Sequence, residues 1–310
     1  MEDKKASKTR SRNIATPPFD LNKFTDSYNY VRGLKNETDC VPIVKSHIES
    51  FIKNSGLDNK YLILFLYGSK INEFAADQIY ECLSGSNEEK DILLIIHSNG
   101  GSIEPAYLIS RNCKDSAKKF CVAIPRKAKS AATLLALGAD EIHMGAMSQL
   151  GPIDPQIDGW PALGLQNALD YLASLTKKYP DSGPMLSAYL SSKLDLMVLG
   201  YLQRLPDSAV QYAEILLRDK ELPTGSDPIN VARKLVYEYK DHGFVIDKYE
   251  AKGLLGNTIR VSTPEYILSD KIHRFLDNLN LLFDVLKGKE LNIVGSLGKN
   301  GINFRDIKKK

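Results

Sequence analysis

Three short apolar runs constrain this chain more than any other feature. Tyr61–Tyr67, Asp91–Ile96 and Phe120–Pro125 are strand-sized and nearly continuous in apolar residues. A strand that is apolar on both sides must be buried on both faces, as in a parallel sheet covered by helices. Helical patterns separate the runs: Val41–Lys53, Ala75–Leu83 and Ile103–Lys118. An apolar, small-residue helix over Ser130–Gly138 and a short fourth strand at Glu141–Met144 follow. Strands alternating with helices imply right-handed βαβ units, hence an α/β fold with a mainly parallel sheet.

After about 165 the pattern turns helical: Leu165–Tyr179, Met185–Arg204, Asp207–Arg218 and Pro228–Lys240, with breaks at Pro180, Gly183, Pro206 and Pro223–Gly225. A short helix, Lys248–Leu255, is capped by Asp247; a late strand is expected at Thr258–Val261, and Thr263 caps a helix running to about Lys287. Residues 1–40 read as a disordered or assembly arm, 41–290 as the folded domain, and 291–310 as a basic tail.

Charge and cysteine usage narrow the function classes. The formal charge is +3, yet residues 1–12 and the last six residues each carry +3, so the chain between them is −3. A nucleic-acid binder usually carries its basic surplus on the folded domain, so no specific nucleic-acid partner is expected. No apolar run approaches the roughly 18 residues of a transmembrane helix, and no apolar leader opens the chain. A cytoplasmic protein without a transmembrane segment is the expectation. The four cysteines, Cys40, Cys82, Cys113 and Cys121, form no CxxC pair and read as free thiols. No histidines pair at metal-ligand spacing, so neither a cofactor nor a catalytic metal is expected.

Two βα turns carry candidate chemistry. His97-Ser98-Asn99-Gly100-Gly101-Ser102 follows the second strand, and its paired glycines let backbone N–H groups point outward without a Cβ in the way. Lys129-Ser130-Ala131-Ala132-Thr133 opens the apolar helix. Ser130 is either an N-cap or a nucleophile, with the following N–H as an oxyanion donor. Successive βα turns of parallel strands end on the same rim, so together they offer a hydroxyl and oxyanion donors.

The blocks IIHSNGGS (95–102), AKSAATLLALGADEI (128–142) and SQLGPIDPQ (148–156) resemble the serine-peptidase branch of the Clp/crotonase fold, and within it the serine dehydrogenase proteinase family, relatives of signal peptide peptidase A. Weaker similarity continues through LDLMVLG (194–200), QYAE (211–214) and HGFVIDKYEAKGL (242–254). The resemblance implies a Clp/crotonase-like fold of repeated ββα and βαβ units with a helical C-terminal half. It puts the nucleophile on Ser130, the oxyanion hole on the N–H groups of Gly101 and Ala131, and peptide binding by strand addition on 98–103, through Ser98, Asn99, Gly100 and Ser102. It also implies a polypeptide substrate and a homo-oligomer, trimer-based or a ring, built through outer helices; an unfoldase or regulator stays open as a partner. Two positions depart from the family pattern: a usual proline is Asn99 and a common glycine is Ala132.

The general base is left between two kinds of residue. Relatives of signal peptide peptidase A use a lysine downstream of the serine, and Lys177, Lys178 and Lys193 fall in that window. Clp-type peptidases use histidine and aspartate; their histidine would fall near Gly151–Asp154, and their aspartate where His242 stands. That implies His242 as base with Asp154 as its orienting partner, a triad by role and not by chain order. Asp154 also reads as a turn residue between Pro152 and Pro155, and His242 as a helix-end histidine. Three functions compete: a serine peptidase, an inactive peptide-binding or assembly module of the same fold, and acyl-CoA chemistry on a shared oxyanion hole. A hydroxyl at 130 argues against the last.

Overall fold

The structure, a computed structural model, describes residues 20–85, 90–157, 160–193, 195–298 and 300–307. The tails expected at residues 1–19 and 308–310 lie outside them. Eleven strands are formed by the described residues: β1 (Tyr61–Tyr67), β2 (Asp91–His97), β3 (Phe120–Ile124), β4 (Lys127–Ala128), β5 (Glu141–Met144), β6 (Gln149–Leu150), β7 (Gln156–Ile157), β8 (Trp160–Pro161), β9 (Ile259–Val261), β10 (Lys289–Gly295) and β11 (Ile302–Asp306). The α-helices are α1 (Phe24–Gly33), α2 (Val41–Ser55), α3 (Glu73–Ser84), α4 (Ile103–Asp115), α5 (Ala131–Leu137), α6 (Ala162–Lys178), α7 (Gly183–Lys193), α8 (Leu196–Leu217), α9 (Pro228–Arg233), α10 (Lys248–Leu255) and α11 (Pro264–Lys287).

Seven strands form the main sheet in the order β11-β10-β1-β2-β3-β5-β9. The run from β1 to β9 is parallel, and β10 and β11 extend it as an antiparallel hairpin. This is the mixed α/β, mostly parallel architecture that the apolar runs require. Leu94 and Val122 point to one face and pack with α3, α4, α5 and the second half of α8. Leu93, Ile95 and Cys121 point to the other and pack with α1, α2 and α11. Each fully buried aliphatic side chain contributes roughly 1.5–3 kcal/mol.

Three elements differ from the sequence reading. The expected basic tail carries a hairpin of β10 and β11: Leu291 and Ile293 are buried on one side of β10, which pairs with β1, while lysines and arginines flank the strands and mask the pattern. Within the expected 1–40 arm, α1 is an ordered helix whose Val31 is buried with α11. The helix expected over Met185–Arg204 breaks at Asp195, whose carboxylate caps α8 through the Met197 N–H at 2.7 Å. Pro206, an expected break, lies inside α8. A proline there removes one i→i−4 bond, but buried Ala209, Val210, Ala213 and Leu217 hold the second half of the helix on the domain. No helix of the described residues is long and apolar enough to cross a membrane.

Leu94→Ala is expected to lower unfolding stability by about 2–5 kcal/mol, read from urea titration, because it opens a cavity under the central strand. Met185→Ser, on the exposed α7, is expected to change it by less than about 0.5 kcal/mol.

Candidate active site

The turn after β2 is built by hydrogen bonds that use most of its backbone. Ser98 pairs with the β4 segment on both sides: its N–H donates to Lys127 O at 3.0 Å, and its carbonyl accepts from the Lys129 N–H at 3.1 Å. Its hydroxyl donates to Ser69 O at 2.7 Å and accepts from the Gly100 N–H at 3.1 Å. Gly100 O accepts from the Ile71 N–H at 3.0 Å, and the Ser102 N–H donates to Ile71 O at 2.8 Å. In extended backbone alternate residues face opposite edges, so Gly101 is left with its N–H and carbonyl turned away from Ile71. The Gly101 N–H has no hydrogen-bond partner among the described residues.

Gly100 holds the two candidate turns together. Its φ is +101°, and a Cβ there would stand 2.7 Å from Lys129 O and 2.9 Å from the Ser130 Cβ. Only a residue without a side chain lets the turns approach so closely. Gly101 is equally tight against its neighbour strand, since a Cβ would lie 2.1 Å from Ile71 O.

Ser130 adopts φ 52°, ψ −124°, a strained conformation for a residue with a side chain. The chain turns sharply there from β4 into α5. Ser130 O still accepts the Leu134 N–H at 3.1 Å, but its side chain makes no cap hydrogen bond. That distinguishes it from Asn72, Asp195, Asp227, Asp247 and Thr263, whose side chains all cap their helices. The N-cap reading of Ser130 is therefore set aside, and its hydroxyl has no partner among the described residues. The Ala131 N–H is one of the orphan donors of a first helical turn.

Ser130, Ala131, Gly101 and Ser102 line one cleft of about 380 Å³. Its other walls are Ile103, Glu104, Ile153, Pro155, Gln156, Tyr201, Leu205 and Ser208. Of the four residues expected to bind peptide, Ser102 alone lines this cleft. Ser98 and Gly100 are consumed in building the turn, and exposed Asn99 borders a separate small cavity with Lys70 and Glu290.

Asp154 is buried at the edge of the cleft and holds His242: its Oδ1 lies 2.7 Å from His242 Nδ1, and its Oδ2 accepts from Gln156 Nε2 at 2.7 Å. With both carboxylate oxygens engaged, Asp154 is more than a turn residue. His242 is bonded to Asp154, whose neighbours Ile153 and Pro155 line the cleft, and is not itself one of the lining residues. A residue that the sequence reading passed over, Lys129, ties this histidine segment to the serine turn. Its ammonium donates to Leu150 O at 3.1 Å, Gly243 O at 3.4 Å and Phe244 O at 2.8 Å. Burial pushes its pKa down, with Lys127 adding to the shift. Three carbonyls nonetheless occupy its three donors, so Lys129 acts as a clamp and not a base. No sequence spacing marks this role, because the accepting carbonyls come from remote loops.

The lysines lie elsewhere. Lys193 closes α7 and is exposed, Lys177 and Lys178 end α6 in solvent, and Lys178 sits over the Tyr179 ring. None lines the cleft, because the arm of α6 and α7 carries its charged ends outward. His97 is on the sheet face opposite Leu94, stacked on Tyr67 with centroids 4.9 Å apart and 4.7 Å from His273.

Residues 65–182 match the family model of the ClpP-like SDH-type serine proteinases. Ser130, Gly101, Ala131 and Asp154 lie inside the matched residues, and His242 lies beyond them. An uncharacterized protein of Methanocaldococcus jannaschii is 27% identical over 207 residues, 65% of this chain and 66% of its own length. A second uncharacterized protein of that organism is 37% identical over 93 residues, 30% of this chain and 32% of its own length. The chain thus spans just under two thirds of the first relative and about a third of the second. Among solved structures, two mutants of the 1510-N membrane-bound stomatin-specific protease are similar at 12% and 13% identity. Their TM-scores are 0.44 and 0.42; each match covers 71% of this chain, with 84% and 80% of the neighbours covered. The second of these is in complex with a substrate peptide.

Gly100→Ala is expected to displace the Ser130 turn and slow labelling by a fluorophosphonate about 10²-fold, with the helical circular dichroism retained. A pH effect follows from the opposite face. Burial, with His273 and Lys127 adding to it, pushes His97 down to about 3, and burial beside Arg126 pushes His273 down to about 4. Unfolded, both take a proton near 6.5, so the unfolded state binds more protons below that value. Their contribution is fully present above about pH 6.5 and is lost as pH falls toward 4, at up to about 1.4 kcal/mol per pH unit for each. Thermal melts across this range are expected to show a shallower fall for His97→Leu.

Proposed function

We propose that the chain is a serine peptidase that cleaves extended or unfolded polypeptide through an acyl-enzyme on Ser130. The observation that carries the reading is the uncapped Ser130 hydroxyl, held at positive φ against the Gly100–Gly101 turn. Ser130 Oγ attacks the scissile carbonyl carbon and passes its proton to His242 Nε2. Asp154 keeps the Nδ1 proton in place, and His242 then protonates the leaving amine. The N–H groups of Gly101 and Ala131 take the developing oxyanion, each donor of this kind being worth about 10²–10³ in rate. Water then releases the acyl group by the same route. Ile153, Leu205 and Tyr201 favour apolar substrate side chains next to the scissile bond.

The proposal includes self-assembly. Tyr171, Met185, Tyr189 and Met197 on α6, α7 and α8 are each more than half exposed, a large apolar surface for a lone domain.

A second reading keeps the cleft without the chemistry: a peptide-binding module, favoured by the absence of His242 from the cleft lining. Fluorophosphonate labelling separates the two. Labelling confined to Ser130 and abolished in Ser130→Ala is expected, with His242→Ala slowing it about 10²–10⁴-fold and Lys193→Ala leaving it unchanged. A folded, assembled sample that never labels overturns the peptidase reading.

A further inference from the structure

A second cluster sits at the other end of the same strands, where β3 and β5 begin. Cys121 is paired across from Glu141, and His143 follows two residues along β5 on the same face. The Cys121 thiol, a Glu141 carboxylate oxygen and a His143 ring nitrogen all lie within 4.8 Å of one another. Glu141 Oε2 is 3.6 Å from His143 Nε2 and 3.9 Å from Cys121 Sγ.

His143 is 2% exposed, and its Nε2 has no hydrogen-bond partner among the described residues. A buried polar atom of this kind calls for an explanation. The other ring nitrogen is well supplied: Nδ1 lies 2.8 Å from Thr263 Oγ1 and 3.7 Å from Glu265 Oε2. Glu265 is itself anchored by the Tyr61 hydroxyl, which donates at 2.9 Å. Thr263 and Glu265 hold the ring from the Nδ1 side, which leaves Nε2 turned toward Glu141 and Cys121. A metal-binding histidine is oriented in this way, by partners on its other ring nitrogen. Glu141 is oriented in the same way. Its Oε1 accepts from Arg260 Nε at 3.1 Å and pairs with Lys119 at 3.0 Å, leaving Oε2 directed inward.

We propose that Cys121, Glu141 and His143 form a three-residue zinc site that joins β3 to β5 at the rim of the sheet where these strands begin, the rim opposite Ser130. Zinc at about 2.0–2.3 Å from each donor places ligand atoms about 3.3–3.8 Å apart. The Glu141–His143 separation of 3.6 Å falls inside that range, the Glu141–Cys121 separation of 3.9 Å lies just above it, and the third, within 4.8 Å, closes with a shift of the thiol of about 1 Å. A thiolate and an imidazole favour zinc over magnesium or calcium. Binding displaces the Cys121 thiol proton, which leaves to solvent as the Zn–S bond forms. Water completes the fourth position. Lys60, Lys119 and Arg260 face Glu141 and Glu265, and the Cys121 thiolate brings this group of charges to neutral before the cation enters. The site does not depend on the peptidase reading.

The test uses the full chain, stripped with a chelator and titrated with Zn²⁺ alone. One equivalent is expected to bind and to raise the melting temperature, with Mg²⁺ doing neither. Co²⁺ is expected to give a thiolate-to-metal charge-transfer band. Cys121→Ser and His143→Gln should each weaken binding at least about 10-fold, while Cys82→Ser leaves it intact. No bound equivalent at micromolar Zn²⁺ in the folded wild-type chain overturns the proposal. So does a cobalt complex without the thiolate band, a result that needs no variant to fold.

Discussion

The half of the molecule that carries the candidate site depends on one steric fact: Gly100 lies against the Lys129–Ser130 peptide with no room for a side chain. The contact joins two loops that follow different strands. It also determines which backbone groups remain free. Ser98 and Ile71 take the bonds on either side, and Gly101 is left facing the cleft. Ser130 is then held in a conformation that costs of order 1–3 kcal/mol. That cost is offset by the apolar burial of α5, every residue of which is buried. The serine is presented by its helix and not used to cap it.

Lys129 extends the same logic to the third component. Its ammonium gathers carbonyls from residues 150, 243 and 244, next to the Leu150–Ile246 bridge. The segment bearing His242 is thereby fastened to the residue preceding Ser130. A charge placed in a half-buried position is tolerated because each of its protons has an acceptor. The polar constellation thus rests on a cation whose three donors are all engaged by carbonyls.

Much of this was legible in the residues. Continuous apolar runs located β1, β2 and β3 to within a residue, because strands buried on both faces leave little polar interruption. The pairing of His242 with Asp154, inverted in chain order relative to Clp-type peptidases, was legible through matched blocks alone. What was not legible depends on distant partners. The β10–β11 hairpin reads as a basic tail, because its strands are flanked by charge and gain their burial from β1. Pro206 reads as a helix end, yet packing of the buried residues after it carries α8 through. Ser98 and Gly100 read as peptide-binding residues, and only the bonds to Ile71, Lys127 and Ser69 reveal that they are spent on the turn. Cys121, Glu141 and His143 show no ligand spacing because strand pairing, not sequence distance, brings them together.

The closing hairpin has a consequence for how the chain comes together. β1 is among the first strands to be synthesised, and its outer edge is paired only by β10, near the end of the described chain. Until that segment arrives, the nascent sheet presents Phe65, Leu66 and Tyr67 as an unpaired apolar edge, the kind of surface that recruits foreign strands. Closure across so long a sequence separation is also slow, since the loop entropy must be met before the contacts form. β10 and β11 therefore act as a seal, and the interval before they dock is when the sheet is most exposed to aggregation.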